Sequence, residues 1–442
     1  LHAAWRKANP DRPDTASAGR NGAATLDRGL PMSRLPEPEA GAAGGRDMRI
    51  VALIGTGHFL SHFYMLCLPP LFLVWREEFG VSYAMLGLSV ALMSATTAVL
   101  QTPVGFWVDR WGARPFLIGG TLLMALSVSA MAFAPAFWMI LPLAVLSGIG
   151  NSVIHPADYA ILTGSVNKSF MGRAFALHTF TGNLGFALAP PVIALLLGVT
   201  NWRGALLTVG LLGVPVVAAI LLQSGVLRDQ AKPAKAEAAL SSREVLLSRP
   251  MLLFFAFFLL SSMAGSGVQA WLVTVLGKLW GTPVLVASSA LTGYMVGATC
   301  GTLVGGWIAD TSKRNLLGMV TVLTLVAMAL LLSLGTVPMP EALLPVVAVV
   351  AGLALGTSRT PRDVMLKDAC PPGQVGKVFG FVSAGLPLGS AITPVPMGML
   401  IDFGHPGLVL PVVAGLLGLS LLCAGSAKGS AAAARAEVLP AE

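Results

Sequence analysis

The chain has 442 residues, of which 55% are hydrophobic and only 11% charged, and its formal net charge is +8. A soluble domain carries about 25% charged residues, so most of this chain does not face water. The basic excess is no nucleic-acid footprint: eight of the 28 Lys and Arg lie in residues 1–49, and most others fall in short loops between apolar runs, the pattern of the positive-inside bias.

Residues 1–47 are rich in Pro, Gly, Ala and Arg without apolar periodicity, which predicts a disordered cytoplasmic tail. Apolar segments follow near 50–74, 84–106, 115–134, 137–157, 174–197 and 204–223. Each approaches or exceeds the roughly 20 residues that a helix needs to cross a bilayer. They are apolar on all sides, unlike the alternating segments of a membrane β-barrel. A polar stretch, 224–249, holds Arg228, Lys232, Lys235, Arg243 and Arg249 and separates six more segments near 251–276, 284–308, 315–335, 342–362, 377–400 and 407–425.

The predicted architecture is an all-α membrane protein with twelve transmembrane helices in two six-helix pseudo-repeats. Its divisions are a tail at 1–47, a first half at 48–223, a linker at 224–249, a second half at 250–426 and a tail at 427–442. With both termini cytoplasmic, the outer loops hold only Arg76, Arg203 and Lys278 as basic residues. Asp402 and Arg203 fall at outer helix ends and read as boundary residues. The four cysteines, Cys67, Cys300, Cys370 and Cys423, have no metal-ligand spacing.

The halves repeat at an offset near 200–205 residues. Val104-Gly105-Phe-Trp-Val-Asp109 matches Gly305-Gly306-Trp-Ile-Ala-Asp310, and His155-Pro156-Ala-Asp158 matches Thr360-Pro361-Arg-Asp363. Gly182, Gly185 and Pro190 match Gly385, Gly389 and Pro394. Two parallel six-helix halves place a binding site at their interface, near the bilayer midplane.

Gly105, Asp109, Arg110, Gly112 and Arg114 form Gly-x-x-x-Asp-Arg-x-Gly-x-Arg between the second and third segments. On that motif the chain resembles the major facilitator superfamily over about residues 50–425. It is similar to the fosmidomycin-resistance type of exporter at Ser61-His62, Gln101-x-Pro103-Val-Gly105, His155-Pro156 and Gly182-Asn183-x-Gly185 with Pro190. Ala144 stands where many proton-coupled exporters of the superfamily have an arginine, so their usual Arg–acid pair is missing.

Read physically, the charged turn is a conformational latch. Gly105 and Gly112 permit close approach and tight turning, while Asp109, Arg110 and Arg114 await an acidic partner from another helix. Asp158 is well placed for that part. Asp310, Arg314 and Asp363 repeat the set, and both sets would hold the cytoplasmic ends together when the protein opens outward. The other reading is that these charges are only topology signals.

His58 and His62 share one helix face, and His62 lies about 18 Å into the membrane by helical rise. Ionisable groups at that depth face a cavity or a partner. His62 is thus a candidate for substrate binding or proton handling, although a packed structural histidine fits the same position. His155, beside a helix-bending Pro156, His178 and Arg359 fall nearer the cytoplasmic end and would form a basic vestibule. Asn151 and Asn183 fall near the midplane, where amides line sites or join helices. No third ligand stands at evident spacing from the His pair, so no metal site is expected.

The sequence holds no phosphate-cradling loop and no catalytic triad spacing, so neither an enzyme nor a cofactor is expected. The resemblance implies secondary active transport of a small solute or drug by alternating access, in the export direction; the basic vestibule favours an anion, and the coupling ion, if there is one, is a proton. Import of an organic anion or metabolite is the alternative, and a non-transporting membrane sensor or assembly factor is the alternative of another class. The expected partners are a lipid bilayer and a small-molecule substrate, for a monomer in the bacterial inner membrane.

Overall fold

The computed structural model describes residues 40–167, 170–227, 245–311, 315–370, 378 and 381–436; at 40–44, 109, 172, 309–311 and 428–436 the description is of backbone alone. Among the described residues the secondary structure is helical, and twelve helical spans of 19 to 35 residues are long and apolar enough to cross a membrane. Residues 1–39 of the expected 1–47 tail, 228–244 of the expected 224–249 linker and residues 437–442 lie outside the described residues.

The first half comprises α1 (Ala40–Leu66), α2 (Phe72–Phe79), α3 (Tyr83–Trp111), α4 (Ala113–Met131), α5 (Ile140–Ser152), α6 (Ile154–Ser165), α7 (Met171–Val199) and α8 (Trp202–Gln223). The second comprises α9 (Arg249–Trp280), α10 (Val284–Thr311), α11 (Leu316–Thr336), α12 (Leu343–Ala369), α13 (Gly385–Ile392), α14 (Pro394–Asp402) and α15 (Val409–Ala436). Three spans are therefore composite. Pro69 and Pro70 interrupt the first between α1 and α2. The fourth breaks at Val153, where Pro156 lacks the N–H that would bond back to Ser152. The eleventh breaks at Thr393, ahead of Pro394.

Two boundaries differ from expectation. Helix α1 begins at Ala40 rather than at 48, and Asp47 is buried because Asn167 Nδ2 donates to its carboxylate at 2.8 Å. Helix α15 continues to Ala436, past the expected boundary at 426.

Turn chemistry repeats between halves. Gly80 (φ 63°) closes α2 and Gly281 (φ 65°) closes α9 at the matching place; a Cβ at that left-handed φ would clash with its own backbone. Packing in the second half depends on glycines at four-residue spacing. Gly293, Gly297, Gly301 and Gly305 of α10 face the carbonyls of Pro345, Val349, Leu353 and Thr357 on α12. Gly352 and Gly356 answer them against Tyr294 and Ala298. The backbones lie so close that a Cβ on Gly293 would stand 2.7 Å from the Pro345 oxygen, the small-residue packing that membranes favour.

Side chains such as Leu222 and Phe133 are 85% and 71% exposed, which suits a surface solvated by lipid rather than water. The end of the molecule bearing the Gly105–Arg114 turn is called the basic end here, and the opposite one the far end. One apolar core runs through the first half and into the far-end portions of α9, α10, α11 and α12. A second core, with Phe254, Phe258, Leu316 and Leu366, belongs to the second half alone, toward the basic end.

The halves therefore join at the far end. Phe72 packs on Trp271 at 5.1 Å, and Gly398 abuts the Tyr83 carbonyl so closely that a Cβ would stand 2.6 Å from it. The Asp402 carboxylate accepts from the Tyr83 and Ala84 backbone N–H groups at 2.7 and 2.8 Å. Asp402 is thus more than the boundary residue that its position suggested: it ties α14 of one half to the N-terminus of α3 in the other.

Candidate functional site

Four histidines from three helices meet in the first half. His58 and His62 of α1 lie with ring centroids 4.3 Å apart. His155 of α6 stands 5.0 Å from His58 and 5.8 Å from His62. His178 of α7 stacks on His58 at 3.9 Å with the rings nearly parallel. The local sequence explains the convergence. The i, i+4 spacing puts the α1 pair on one face, the break at Val153 starts α6 one residue before His155, and Gly182 lets α7 come against that face.

Hydrogen bonds fix two of these rings, His58 and His178. His58 Nδ1 lies 2.8 Å from the His178 carbonyl. A carbonyl only accepts, so the His58 proton is on Nδ1 and Nε2 carries the lone pair. Thr181 donates to the same carbonyl at 2.8 Å. His178 Nε2 meets Asp158 Oδ2 at 2.8 Å, with both side chains almost wholly buried. His58 Nε2, His62 Nδ1, His155 Nδ1 and Asp158 Oδ1 are buried and have no hydrogen-bond partner among the described residues.

Asp158 was expected to answer the arginines of the charged turn; the structure gives it to His178. The physical reason is depth. Asp158 is fully buried, and a buried carboxylate takes the polar group that packs against it. Asp109, Asp310 and Arg314 have side chains outside the described residues. Asp363 pairs with its neighbour Arg362 at 3.0 Å. Gly112 takes φ 87° between α3 and α4, Arg110 lies over the Trp111 ring at 5.7 Å, and Arg114 is engaged in an interaction. Gly105 makes no close approach, since a Cβ there would meet nothing within 4 Å.

The amide candidates separate. Asn151 is buried, donating to Thr97 Oγ1 at 3.1 Å and approaching the Met65 sulfur at 3.4 Å, so it joins spans four, two and one. Asn183 is half-buried and its side chain makes no hydrogen bond among the described residues.

The second half holds a cavity of about 270 Å³ whose lining includes Ser261, Ser262, Ser266, Gln269, Tyr294, Ser358, Arg359, Arg362, Ser390 and Ser420. Several of these hydroxyls are already committed: Ser262 donates to Leu386 O, Ser358 to Leu355 O and Ser420 to Leu417 O. Arg362 is bound to Asp363 and lies 4.0 Å above the Phe258 ring. The Arg359 side chain makes neither a hydrogen bond nor a close ion pair among the described residues, although the charge of Asp363 lies near enough to act on it. It, Ser261, Tyr294 and the Gln269 amide remain as donors for a ligand.

A smaller pocket between the halves is lined by Met65, Pro69, Val90, Ser94 and Phe186 from the first and by Ser266, Gln269, Ala270 and Ser390 from the second. Ser266, Gln269 and Ser390 line both spaces. On the other side, Phe186 stacks on His62 at 4.2 Å. Nothing in the sequence marks out these serines, because a serine in an apolar helix usually bonds its own backbone.

Comparison with known proteins supplies the family. A model of the Major Facilitator Superfamily matches residues 54–281 and 263–435. The chain is 24% identical over 410 residues to the fosmidomycin resistance protein of Escherichia coli (strain K12), covering 89% of this chain and 97% of that one. It is 27% identical over 139 residues, 31% of each chain, to a probable L-galactonate transporter of the same organism. Its fold is similar to the crystal structure of a bacterial homologue of the human lysosomal transporter Spinster, with a TM-score of 0.71 at 15% identity, over 89% of this chain and 99% of that one.

Proposed function

The chain belongs to the Major Facilitator Superfamily, and from that premise we propose that this multi-pass membrane transporter carries a small organic anion by alternating access, in the export direction. The observation that carries the proposal is Arg359, a cation without an ion pair among the described residues that lines a hydroxyl-rich cavity sharing three residues with the pocket between the halves. A cation at membrane depth is costly unless a partner neutralises it, and a carboxylate, sulfonate or phosphonate takes a guanidinium as a fork of two hydrogen bonds.

The relatives support the class of cargo and the direction. L-galactonate is a carboxylate, and the resistance protein that matches over most of the chain has a name that fits efflux. The basic end then faces the cytoplasm of a bacterial inner membrane, and the protein works as a monomer. Protons are the proposed coupling ion, since a sodium or calcium site gathers several oxygen ligands and Asp158 is the one fully buried carboxylate among the described residues of spans four to six.

Gly105–Arg114 and its copy at Asp310, Arg314 and Asp363 remain the proposed basic-end latch, closing when the far end opens. His62, His58, His155, His178 and Asn183 are proposed to border the path on the side of the first half.

The test is anion-dependent thermal stabilisation of the purified chain, followed by uptake into proteoliposomes with and without a protonophore. Fosmidomycin, galactonate and sulfonates form the panel. Arg359→Gln is expected to abolish stabilisation by every anion that stabilises the wild type and to lower uptake at least tenfold. Full transport by Arg359→Gln would refute the anchor.

A further inference from the structure

We propose that His58, His62 and His155 form a binding site for one divalent transition-metal ion inside the first half. The three residues can each present a ring nitrogen such that all three atoms lie within 4.8 Å of one another. Tetrahedral coordination at about 2.0–2.1 Å per Zn–N bond needs nitrogens ~3.3 Å apart, which small ring rotations supply.

Three observations separate this cluster from a set of packed rings. The first is satisfaction. Each of the three histidines has a buried nitrogen without a partner, and a buried polar atom left unpaired gives up its hydration with nothing in return. The rings stand close but do not bond to one another, so packing alone does not repay that cost.

The second is orientation. The His178 carbonyl holds the His58 proton on Nδ1 and turns the Nε2 lone pair into the cluster. A backbone carbonyl on the far nitrogen is how metal-binding histidines are commonly oriented.

The third is close approach. A Cβ built on Gly182 would lie 2.4 Å from His58 Cε1, 2.7 Å from His62 Nδ1 and 2.8 Å from His58 Nε2. Only glycine lets α7 press this closely on the two unpartnered nitrogens and hold their rings together.

Imidazole donors suit Zn²⁺, Cu²⁺, Ni²⁺ and Co²⁺ rather than Mg²⁺ or Ca²⁺. Three histidines also leave one coordination position open. His58, His178 and Asp158 offer a second possible set, but using it would break the 2.8 Å bond between His178 and Asp158. Left intact, that pair orients His58 through the His178 main chain and places a carboxylate near the ion. His178 and Asp158 are therefore positioning residues.

The experiment is a Co²⁺ titration of the tag-free, full-length chain in detergent after EDTA treatment. Bound metal is read by elemental analysis and by the visible absorption of nitrogen-ligated Co²⁺. One Co²⁺ per chain, displaced by Zn²⁺, is expected. His62→Ala and His155→Ala should each weaken binding at least tenfold. So should Gly182→Ala, which removes no ligand and forces the His58 and His62 rings to shift. His405→Ala, on a loop at the far end, should bind as the wild type does. A wild-type chain that takes up no stoichiometric Co²⁺ overturns the proposal, as does binding that survives both His62→Ala and His155→Ala; in the first case ordered water fills the cluster. The assay reads metal alone, so its failure leaves the role of Arg359 standing, and failure of anion transport leaves the metal site standing.

Discussion

Removing the Asp402 carboxylate should release the far end. The first turn of α3 has four N–H groups that need partners. Ser82 Oγ accepts from Met85 at 3.1 Å and the Ser82 carbonyl accepts from Leu86 at 3.1 Å. The remaining two, on Tyr83 and Ala84, are served by Asp402 across the interface. Hydrogen bonds to a charged group are worth about 1.5–3 kcal/mol each when sheltered, and a carboxylate at a helix N-terminus gains a further fraction from the helix dipole. Asp402 is exposed on one side, so water screens both contributions, and about 2 kcal/mol for the pair is the working figure.

That energy exists only while the halves touch at the far end. Asp402→Ala should therefore shift the ratio of far-end-closed to far-end-open molecules by ~30-fold, because each 1.4 kcal/mol is a factor of ten; a 100:1 preference would fall to about 3:1. The assay is a pulsed electron-resonance distance between spin labels at Trp138→Cys and Val337→Cys, exposed far-end positions of opposite halves, in a chain whose native cysteines have been replaced. Asp402→Ala should add a longer-distance population, and Asp402→Asn, which keeps one acceptor, a smaller one. An unchanged distance distribution in Asp402→Ala would show that the carboxylate does not hold the halves, and the reasoning would fall.

Gly297→Val should drive a side chain into the Val349 backbone and cost about 1–3 kcal/mol by overpacking; thermal unfolding should move down by several degrees, while Gly306→Ala, with open space around it, should not move it. Asn151→Ala removes the bond to Thr97 and should cost ~1 kcal/mol in thermal unfolding while leaving the substrate KM unchanged, because the amide points into packing. Glu78→Gln weakens the ion pair with Arg203, whose side chains are 37% and 41% exposed; the loss should stay below ~1 kcal/mol and should shrink further in high salt.

The spans were legible because each is a composition signal confined to one stretch of chain. The bend at Pro156 followed from a missing N–H, a local fact; the breaks at Pro69 and Pro394 rest on the same chemistry but were not singled out. The pairing of His58 with His62 was equally local, since i and i+4 share a face. The arrival of His155 and His178 was not: it depends on how α6 and α7 pack sideways against α1, which helical rise cannot report. Depth counting placed His155 and His178 at similar levels without placing them beside His58. Asp158 was assigned to arginines because acids near helix ends usually serve loops, and only its burial reveals His178 as partner. Asp402 was passed over for the same reason. Its partners are backbone N–H groups some 320 residues away, and backbone groups leave no trace in a sequence. Gly182 stood out only through its match to Gly385, and what packs against it is a pair of histidine rings.

The two candidate ligand sites stand differently to the rocking motion. His58, His62 and His155 all belong to the first half, so rigid rotation of one half against the other leaves their spacing unchanged. The pocket bounded by Phe186 on one side and by Gln269 and Ser390 on the other belongs to both halves, and rotation must deform it. A ligand that binds two states equally shifts neither, whereas one that distinguishes them is coupled to the equilibrium. Shifting the far-end equilibrium with Asp402→Ala should therefore change the apparent anion affinity and leave Co²⁺ affinity where it was. Parallel titrations of the two ligands on wild type and Asp402→Ala decide the matter. Equal changes in both would mean that the histidine cluster also moves with the halves, and the division between a rigid metal site and a deformable anion site would have to be given up.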